Sequence, residues 1–238
     1  MVLRLQGERP QLAPQSTKTD PITIAPVLGQ ERSLYQRGGK RVLDLLLIVL
    51  LSPLWILVYL GIIALILALD GRPIHYRSIR IGRNGNTIPV LKFRTMHLKA
   101  DTKLAALLAA DPALGVEYKA AVKLRDDPRV TGMGRWLRRT SLDELPQLLN
   151  VCLGDMSLVG PRPVLQSELD DFYGDYADEV IRYRPGMTGL WQVSGRSLLT
   201  YEERVALDVE YSRTCALSED LVLLAKTIPS VLQARGAY

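Results

Sequence analysis

The hydrophobic pattern of the chain is dominated by one apolar run near the N-terminus. Asp44 is the only charged residue between Val42 and Leu69. An uncharged run of this length is typical of a segment embedded in a membrane rather than of a core helix. Ser52 and Pro53 interrupt it. Because proline lacks a backbone N–H and clashes with the preceding turn, we predict that the helix breaks or kinks there.

The charges on either side of this run leave two topologies open. Both flanks are basic, with Arg32, Arg37, Lys40 and Arg41 before the run and Arg72, Arg77, Arg80 and Arg83 after it. A segment that crosses the membrane is expected to carry most of its positive charge on the cytoplasmic side. The two basic flanks therefore favour a re-entrant hairpin that enters and leaves on one face. The alternative is a straight span with a proline kink.

The rest of the chain has the pattern of a mainly helical α/β domain with one short β-hairpin. Asn84-Gly85 is typical of a tight turn, between strands predicted at 74–81 and 87–93. Helices are predicted at 101–124 with a break at Asp111-Pro112, at 141–152, at 165–182, and in two amphipathic segments at 201–214 and 221–232. Glycines and prolines predict loops at 126–140, 154–163 and 184–196.

Residues 1–33 differ from everything that follows. They are polar, contain four prolines and show no hydrophobic period, so we predict a disordered tail. The first ten residues, MVLRLQGERP, lack the apolar run that a signal peptide needs.

Composition and charge narrow the classes of function. The formal net charge of +5 and the pI of about 9.2 admit three partners: nucleic acid, an anionic membrane surface or a phosphate-rich substrate. The apolar run argues against a nucleic-acid binder. The two histidines and two cysteines form no metal-binding pattern, which argues against a zinc site.

The first candidate for chemistry is the adjacent pair of carboxylates Asp143 and Glu144. Arginines precede it at 135, 138 and 139, and the pair stands at the start of a predicted helix. A structural interpretation competes with a catalytic one. Ser141 with Glu144, or Thr140 with Asp143, has the spacing of a capping box, and acidic residues also suit the first turn of a helix.

Basic residues in the nearby segments favour the catalytic interpretation. They are Lys92, Arg94, Arg125, Arg129, Arg162, Arg182, Arg184 and Arg196. Arg162 lies between two prolines, so its backbone is stiff and its guanidinium suits phosphate recognition. Lys92 and Arg94, two apart on a predicted strand, would project to one face. For most single arginines a solvated surface position is the alternative, and Trp191 could either stack on a base or belong to the core.

Long motifs in this order resemble the bacterial sugar transferase family, the monotopic polyprenyl-phosphate phosphoglycosyl transferases. The matching segments are KRVLDLLLIVLLSP (40–53), LKFRTM (91–96), DDPRVTGMGRWLRRTSLDELPQLLN (126–150), GDMSLVGPRP (154–163) and RPGMTGLWQVSGR (184–196). The closest resemblance is to short members that initiate exopolysaccharide synthesis with galactosyl or glucosyl phosphate.

The resemblance implies an enzyme with a covalent ping-pong mechanism. Asp143 would be the nucleophile that takes a sugar phosphate from a UDP-sugar, and undecaprenyl phosphate would then take it from Asp143. Mg²⁺ would bind near Asp143 and Glu144. Lys92, Arg138 and Arg162 match the family's basic active-site residues, and we predict Arg94, Arg162, Arg184 and Arg196 as ligands of the substrate phosphates.

The resemblance also implies a monotopic membrane protein. Residues 34–72 would form a re-entrant hairpin that breaks at Ser52 and Pro53, and residues 73–238 a cytoplasmic catalytic domain with interfacial helices at its C-terminal end. The active site would face the cytoplasm at the bacterial inner membrane, among membrane lipids and without a nucleic-acid partner. The identity of the sugar and the formation of a homo-oligomer stay open, as does the rival interpretation as a non-catalytic assembly subunit of a polysaccharide synthesis complex.

Overall fold

The computed structural model describes residues 33–110, 114, 124, 127–195 and 199–232. The predicted tail up to residue 32, Arg125, Arg196 and almost all of the second half of the predicted helix at 101–124 lie outside these residues. The described part of the chain is mainly helical and contains two small two-stranded sheets. This agrees with the predicted class.

The apolar run forms two helices that meet at a break. A short π-helical turn at Tyr35–Gly39 leads into α1 (Lys40–Leu50), and α2 (Ser52–Leu69) follows after Leu51. Pro53 lies in the first turn of α2, where a missing N–H leaves no hydrogen bond unmade. The indole Nε1 of Trp55 donates to a carbonyl of α1 at 3.1 Å. The predicted break at Ser52 and Pro53 is confirmed.

Helix α2 is long and apolar enough to cross a membrane, with a mean hydropathy of 2.4 over its 18 residues. Large apolar side chains are exposed along both helices: Val42, Leu45, Leu46, Val49, Leu50, Leu51, Leu54, Ile56, Leu57, Leu60, Leu65, Leu67 and Leu69. A continuous exposed apolar surface of this kind marks a membrane or protein contact.

The opposite sides of α1 and α2 pack on the same body of the protein. Ile48 of α1 is buried in a cluster that includes Val90 of the first sheet. Ile62 and Ile66 of α2 are buried in a second cluster with Phe93 at the end of the same strand. Burial of each of these side chains contributes about 1.5–3 kcal/mol. Both halves of the helix pair are therefore attached to one domain along their length.

The predicted β-hairpin is confirmed. Strand β1 (His75–Ile81) pairs antiparallel with β2 (Thr87–Phe93). Asn84 and Gly85 both have positive φ, 58° and 79°, in the turn between them. These two residue types adopt that conformation with little strain, which explains why they end the strand here.

Eight helices and a second sheet follow in the described residues. In chain order the elements are α3 (Ala100–Ala110), α4 (Gly132–Arg139), α5 (Gln147–Leu153), β3 (Ser157–Val159), α6 (Gln166–Phe172), α7 (Ala177–Val180), β4 (Gly186–Thr188), α8 (Leu190–Ser194), α9 (Tyr201–Thr214) and α10 (Leu217–Leu232). The helices predicted at 201–214 and 221–232 are confirmed as α9 and α10. The helix predicted at 165–182 is divided into α6 and α7 by a 3₁₀ turn, in which Gly174 has a positive φ of 48°.

Three segments predicted as loops contain regular structure. Helix α4 lies within 126–140, and β3 and β4 lie within 154–163 and 184–196, where they pair in parallel. Helix α8 follows β4. A Cβ at Gly186 would lie 2.1 Å from the backbone nitrogen of Gly160. The glycines of these segments therefore allow two backbones to approach closely, and the sequence interpretation mistook them for loop glycines.

Buried carboxylates tie α1 to the domain. Asp44 accepts hydrogen bonds from Ser157 Oγ at 2.8 Å and from the backbone N–H of Leu158 at 3.1 Å. Asp220 at the start of α10 is 1% exposed and accepts hydrogen bonds from Tyr35, Lys40 and Tyr211. A buried carboxylate needs hydrogen-bond donors to offset the loss of its water shell, and these contacts supply them. Helix α1 is thereby fixed against β3 and α10.

Candidate active site

Asp143 and Glu144 lie in a 3₁₀ turn, Leu142–Glu144, that precedes α5. Ser141 opens this turn with a left-handed backbone, φ 56° and ψ 14°. Helix α5 begins only at Gln147, directly after Pro146. The helix predicted at 141–152 is therefore present, but it starts later than the sequence interpretation had it.

The capping interpretation of this segment is wrong. The hydroxyl of Thr140 donates back to the carbonyls of Trp136 and Leu137, at 2.9 and 3.1 Å. Ser141 makes no side-chain capping hydrogen bond. Because the turn stands apart from α5, neither carboxylate of the pair serves as a cap for that helix.

Lys92 of β2 reaches the acidic pair. Its Nζ lies 2.7 Å from Oε1 of Glu144, and the two side chains are 34% and 40% exposed. Burial alone would raise the pKa of Glu144, but the charges of Lys92 and Arg162 and a hydrogen bond from Gln147 hold it below its usual value. Glu144 is therefore a stable anion in this site.

Asp143 has a different electrostatic environment. Burial, and then the charge of Glu144, raise its pKa to about 6, while Lys92 and Arg138 act in the opposite direction. Two neighbouring carboxylates whose pKa values are moved apart are typical of groups with different chemical roles. At pH 7 Asp143 is still mainly ionised, and among the described residues it forms no direct ion pair like the one between Glu144 and Lys92.

Arg138 is held beside Asp143 by helix α4. Its Nε donates to Thr95 Oγ1 at 3.0 Å. At the other end of the helix, Thr131 accepts a hydrogen bond from the backbone of Gly134 at 2.9 Å and donates to Asp70 Oδ2 at 2.7 Å. Arg138 is therefore positioned by a helix whose start is bonded to the residue that follows α2.

Arg162 reaches the site from the loop after β3. In Pro161-Arg162-Pro163 only Arg162 has a backbone N–H, and this group donates to Oδ1 of Asp208 at 3.3 Å. The Arg162 guanidinium lies 5.3 Å from the ring centroid of Trp191, which is 5% exposed. A cation over an aromatic face is attracted to it, so Trp191 belongs to the core and also orients Arg162.

Asp208 of α9 is a buried support for this loop. Its Oδ2 accepts a hydrogen bond from Tyr173 at 2.8 Å, and its side chain is 1% exposed. Burial raises the pKa of Asp208 to about 7, against the opposing effect of Tyr173 and Arg162. The carboxylate thus links α9 and the end of α6 to the backbone of Arg162.

Two of the predicted phosphate ligands lie away from this cluster. Arg94 is 8% exposed, and its guanidinium donates to the carbonyls of Asp70 and Gly71 at 2.7 and 2.8 Å. It therefore binds the C-terminal end of α2, whereas Lys92 binds Glu144 of the acidic pair. Arg184 donates from Nε to the carbonyl of Gly154 at 2.7 Å, at the far end of α5. Arg196 lies outside the described residues.

Three supporting residues were missed by the sequence interpretation. Gln147 bonds to Glu144, Thr95 holds Arg138, and Asp208 holds the backbone of Arg162. The polar Gln147 among the leucines of α5 was a signal for the first of these. The other two contacts join residues 43 and 46 positions apart, and local patterns do not reveal them.

Asp143 and Glu144 are the carboxylates available for a metal ion in this site. The described residues contain no group of three or more histidine, cysteine or acidic side chains placed to hold one. Mg²⁺ commonly binds through one or two carboxylates and completes its shell with water and substrate phosphates. The two carboxylates Asp143 and Glu144 fit a Mg²⁺ ion that takes its other ligands from water and substrate. They do not fit a metal site built from protein ligands alone.

Comparisons with known proteins identify the family of this chain. The family model described as bacterial sugar transferase matches residues 35–234. The exopolysaccharide production protein ExoY of Sinorhizobium fredii is 48% identical over an alignment of 207 positions, which covers 84% of this chain and 89% of that protein.

Two further relatives have names that state a reaction. The undecaprenyl-phosphate galactose phosphotransferase of Salmonella typhimurium is 44% identical over 83% of this chain and 40% of that longer protein. The UDP-glucose:undecaprenyl-phosphate glucose-1-phosphate transferase of Caulobacter vibrioides is 41% identical over 84% of this chain and 72% of that protein. The match to the family model covers most of the chain, and the chain therefore belongs to the bacterial sugar transferase family and is a transferase enzyme.

Proposed function

We propose that this enzyme transfers a sugar 1-phosphate, from UDP-galactose or UDP-glucose, to undecaprenyl phosphate and so initiates exopolysaccharide synthesis. The observation that carries the proposal is the acidic pair surrounded by Lys92, Arg138 and Arg162, in a domain that also carries exposed apolar helices. A water-soluble diphosphate and a lipid phosphate can meet at such a site. The reactions named for the Salmonella and Caulobacter relatives support the same substrates.

In the proposed mechanism Asp143 is the nucleophile. Its carboxylate oxygen attacks the sugar-linked phosphorus, and the bond from that phosphorus to the bridging oxygen breaks. UMP leaves with the bonding electron pair, and a phosphosugar remains on Asp143. An oxygen of undecaprenyl phosphate then attacks the same phosphorus and releases the carboxylate. One displacement is thus replaced by two, as in other covalent mechanisms.

The basic residues offset the negative charge in both steps. Phosphoryl transfer depends mainly on alignment and on stabilisation of charge on the phosphate oxygens. Arg138 is fixed by α4, and Arg162 by Asp208 and Trp191, so both guanidinium groups are oriented before substrate arrives. Lys92 keeps Glu144 ionised and near Asp143. We propose that Glu144 binds and orients Mg²⁺ together with Asp143.

Bound magnesium would neutralise part of the diphosphate charge and allow a carboxylate to approach phosphorus. The two carboxylates at 143 and 144 would hold it, with the remaining ligands from water and substrate. This use of Mg²⁺ agrees with its preference for one or two carboxylates together with water and phosphate oxygens.

A direct assay tests the proposal. Purified enzyme is incubated with Mg²⁺, undecaprenyl phosphate and separate UDP-sugars, and the lipid product is detected by mass spectrometry. We expect a lipid-linked sugar diphosphate with UDP-galactose or UDP-glucose. An absence of product with every sugar of the panel would instead favour the non-catalytic assembly subunit.

The pH dependence of the reaction should report on Asp143. Burial and the charge of Glu144 raise the pKa of Asp143 to about 6 before magnesium binds. Because the carboxylate form attacks, we expect kcat/KM for the donor to fall about tenfold per pH unit on the acid side of the Asp143 pKa. Lys92→Met removes a charge that lowers this pKa, so the acid limb should move to higher pH. Glu144→Gln removes a charge that raises it, so the limb should move to lower pH. UMP release at constant magnesium measures both, and shifts of equal sign would contradict the assignment.

We further propose that α1 and α2 form a re-entrant hairpin in the inner membrane, with the active site on the cytoplasmic side. The attachment of both helices to one domain, through Ile48 and Ile66, supports this topology over a straight span.

Labelling of single cysteines tests the topology in cells. Cysteines placed before residue 40 and after residue 72, in a variant without Cys152 and Cys215, should both be protected from a membrane-impermeant reagent until the inner membrane is opened. Labelling of only one of them in intact cells would show a true span.

A further inference from the structure

Two arginines from separate parts of the chain meet at the C-terminal end of α5, and a third lies within electrostatic range of one of them. Arg41 of α1 donates to the carbonyls of Val151 and Cys152. Arg184 donates to the carbonyl of Gly154, and the Arg41 guanidinium lies beside that same glycine. The third arginine, Arg83 in the hairpin turn, donates from Nε to the backbone carbonyl of Arg182 at 3.2 Å, two residues before Arg184.

These guanidinium groups are close enough to repel one another. Burial lowers the pKa of Arg184 from its usual value, and the charges of Arg83 and Arg41 lower it further. The opposing carboxylate is Asp44, which is itself bonded to Ser157 and Leu158. None of the three arginines forms an ion pair with a carboxylate within the described part of the chain.

Each of the three arginines has N–H donors that its hydrogen bonds to backbone carbonyls do not use. A guanidinium has five N–H groups in a planar fork that suits two oxygens of one phosphate. The observed bonds to carbonyls account for two donors of Arg41 and one each of Arg83 and Arg184. A cluster of like charges with unused donors is complementary to an anion with several oxygens.

Apolar side chains surround this cluster. Val42 follows Arg41 directly, and Leu45 and Leu46 lie on the next turn of α1; all three are exposed. Leu153, the last residue of α5, is 75% exposed. Glu144 lies before the opposite end of α5, about 10 Å or more away along the helix axis. The cluster is therefore separate from the catalytic carboxylates and lies at the edge of the apolar surface.

We infer that Arg41, Arg83 and Arg184 bind the phosphate headgroup of an anionic membrane lipid, whose acyl chains lie along the exposed side of α1. The inference rests on the proposed membrane embedding and not on the transfer reaction. A free phosphate ion would satisfy the same donors, but it would leave the adjacent leucines in water. The lipid satisfies both the charge and the apolar surface, and it would hold the N-terminal end of α1 at the level of the headgroups.

Thermal unfolding in detergent micelles tests the site with defined lipids. The full-length protein is titrated with phosphatidylglycerol or with phosphatidylcholine of the same acyl chains. We expect phosphatidylglycerol to raise the Tm at micelle fractions at least about tenfold lower than phosphatidylcholine requires. Equal responses to the two lipids would overturn the inference, because the effect would then come from the acyl chains alone.

Arg83 is the best position for a variant, because it makes a single backbone hydrogen bond. Arg41 and Arg184 contact α5, so their replacement is more disruptive to the fold. Arg83→Gln should keep the wild-type Tm without lipid and the wild-type rate of UMP release, and should lose most of the preference for phosphatidylglycerol. Arg83→Lys should restore part of it. Arg77→Gln, which removes an exposed arginine of β1, is the matched control and should respond as the wild type does.

Two further results would overturn the inference. An unchanged preference in Arg83→Gln and in the double variant Arg41→Gln/Arg184→Gln would overturn the assignment of the site. An equal rise in Tm with inorganic phosphate would identify a free-anion site and overturn the lipid assignment. UMP release by the same preparations reports on the transfer reaction, so failure of the proposed function is seen separately.

Discussion

Asp143→Asn is expected to abolish sugar-phosphate transfer, with a loss on the order of 10⁴-fold or more. Asparagine has the shape of aspartate but no anionic oxygen to attack phosphorus. Burial and the charge of Glu144 raise the pKa of Asp143 to about 6, so the ionised group is less favourable in the folded protein than in the unfolded chain. The neutral amide should therefore leave the free energy of unfolding at pH 7 unchanged or slightly higher. UMP release and the Tm are measured on the same preparation.

The covalent step distinguishes a nucleophile from a group that only binds magnesium. Enzyme mixed with UDP-sugar and without lipid acceptor should show a phosphosugar adduct on the peptide that contains residue 143, and Asp143→Asn should show none. Asp171→Asn, which removes an exposed carboxylate of α6, is the control and should keep both the adduct and the rate. Normal turnover of Asp143→Asn would exclude this residue as the nucleophile.

Local signals predicted the parts of the fold that local interactions determine. The hairpin was predicted from the turn residues Asn84-Gly85, and β1 and β2 begin and end within one residue of the predicted bounds. The break at Pro53 follows from proline chemistry, and the amphipathic pattern predicted the helix at 201–214. In the structure, Thr200 and Glu203 form a capping box at the start of that helix. Each of these signals acts within a few residues of the structure that it specifies.

Non-local pairing could not be predicted in the same way. Strands β3 and β4 have three residues each, and the partners Ser157 and Gly186 are far apart in the chain. Glycine is used both in loops and where backbones touch, so its presence at 160 and 186 did not distinguish the two cases. Helix α4 was missed for the same reason, since Gly132 and Gly134 favour a loop by propensity.

In the candidate site too, local motifs were predictive and long-range contacts were not. The acidic pair and Lys92, Arg138 and Arg162 were predicted from motifs. The structure brings Lys92 and Arg138 into electrostatic range of Asp143, and Lys92 and Arg162 into range of Glu144. Arg94 and Arg184 were added because arginine suits phosphate, yet a guanidinium binds backbone carbonyls equally well. Only the fold shows that Arg94 bonds to the end of α2 and Arg184 to the end of α5.

The glycines of α4 allow a test of how the fold positions Arg138. Alanine normally stabilises a helix interior by roughly 0.5–1 kcal/mol relative to glycine. A Cβ at Gly134, however, would lie 2.0 Å from the carbonyl oxygen of Thr95. Gly132, in the same helix, has no neighbouring atom within 4 Å of the added Cβ. The same substitution should therefore be tolerated at Gly132 and destabilising at Gly134, although the two positions lie within one turn of each other.

Gly134→Ala must push α4 away from Thr95, which also bonds Arg138 through its hydroxyl. Overpacking of this kind costs about 1–3 kcal/mol or more, so we expect the Tm to fall by about 5 °C or more. A displacement of about 1 Å at Arg138 should reduce kcat on the order of 10²-fold. Gly132→Ala should match the wild type in Tm and rate. If Gly134→Ala kept full activity with an unchanged Tm, the close packing of α4 on Thr95 could not be what holds Arg138 against the acidic pair.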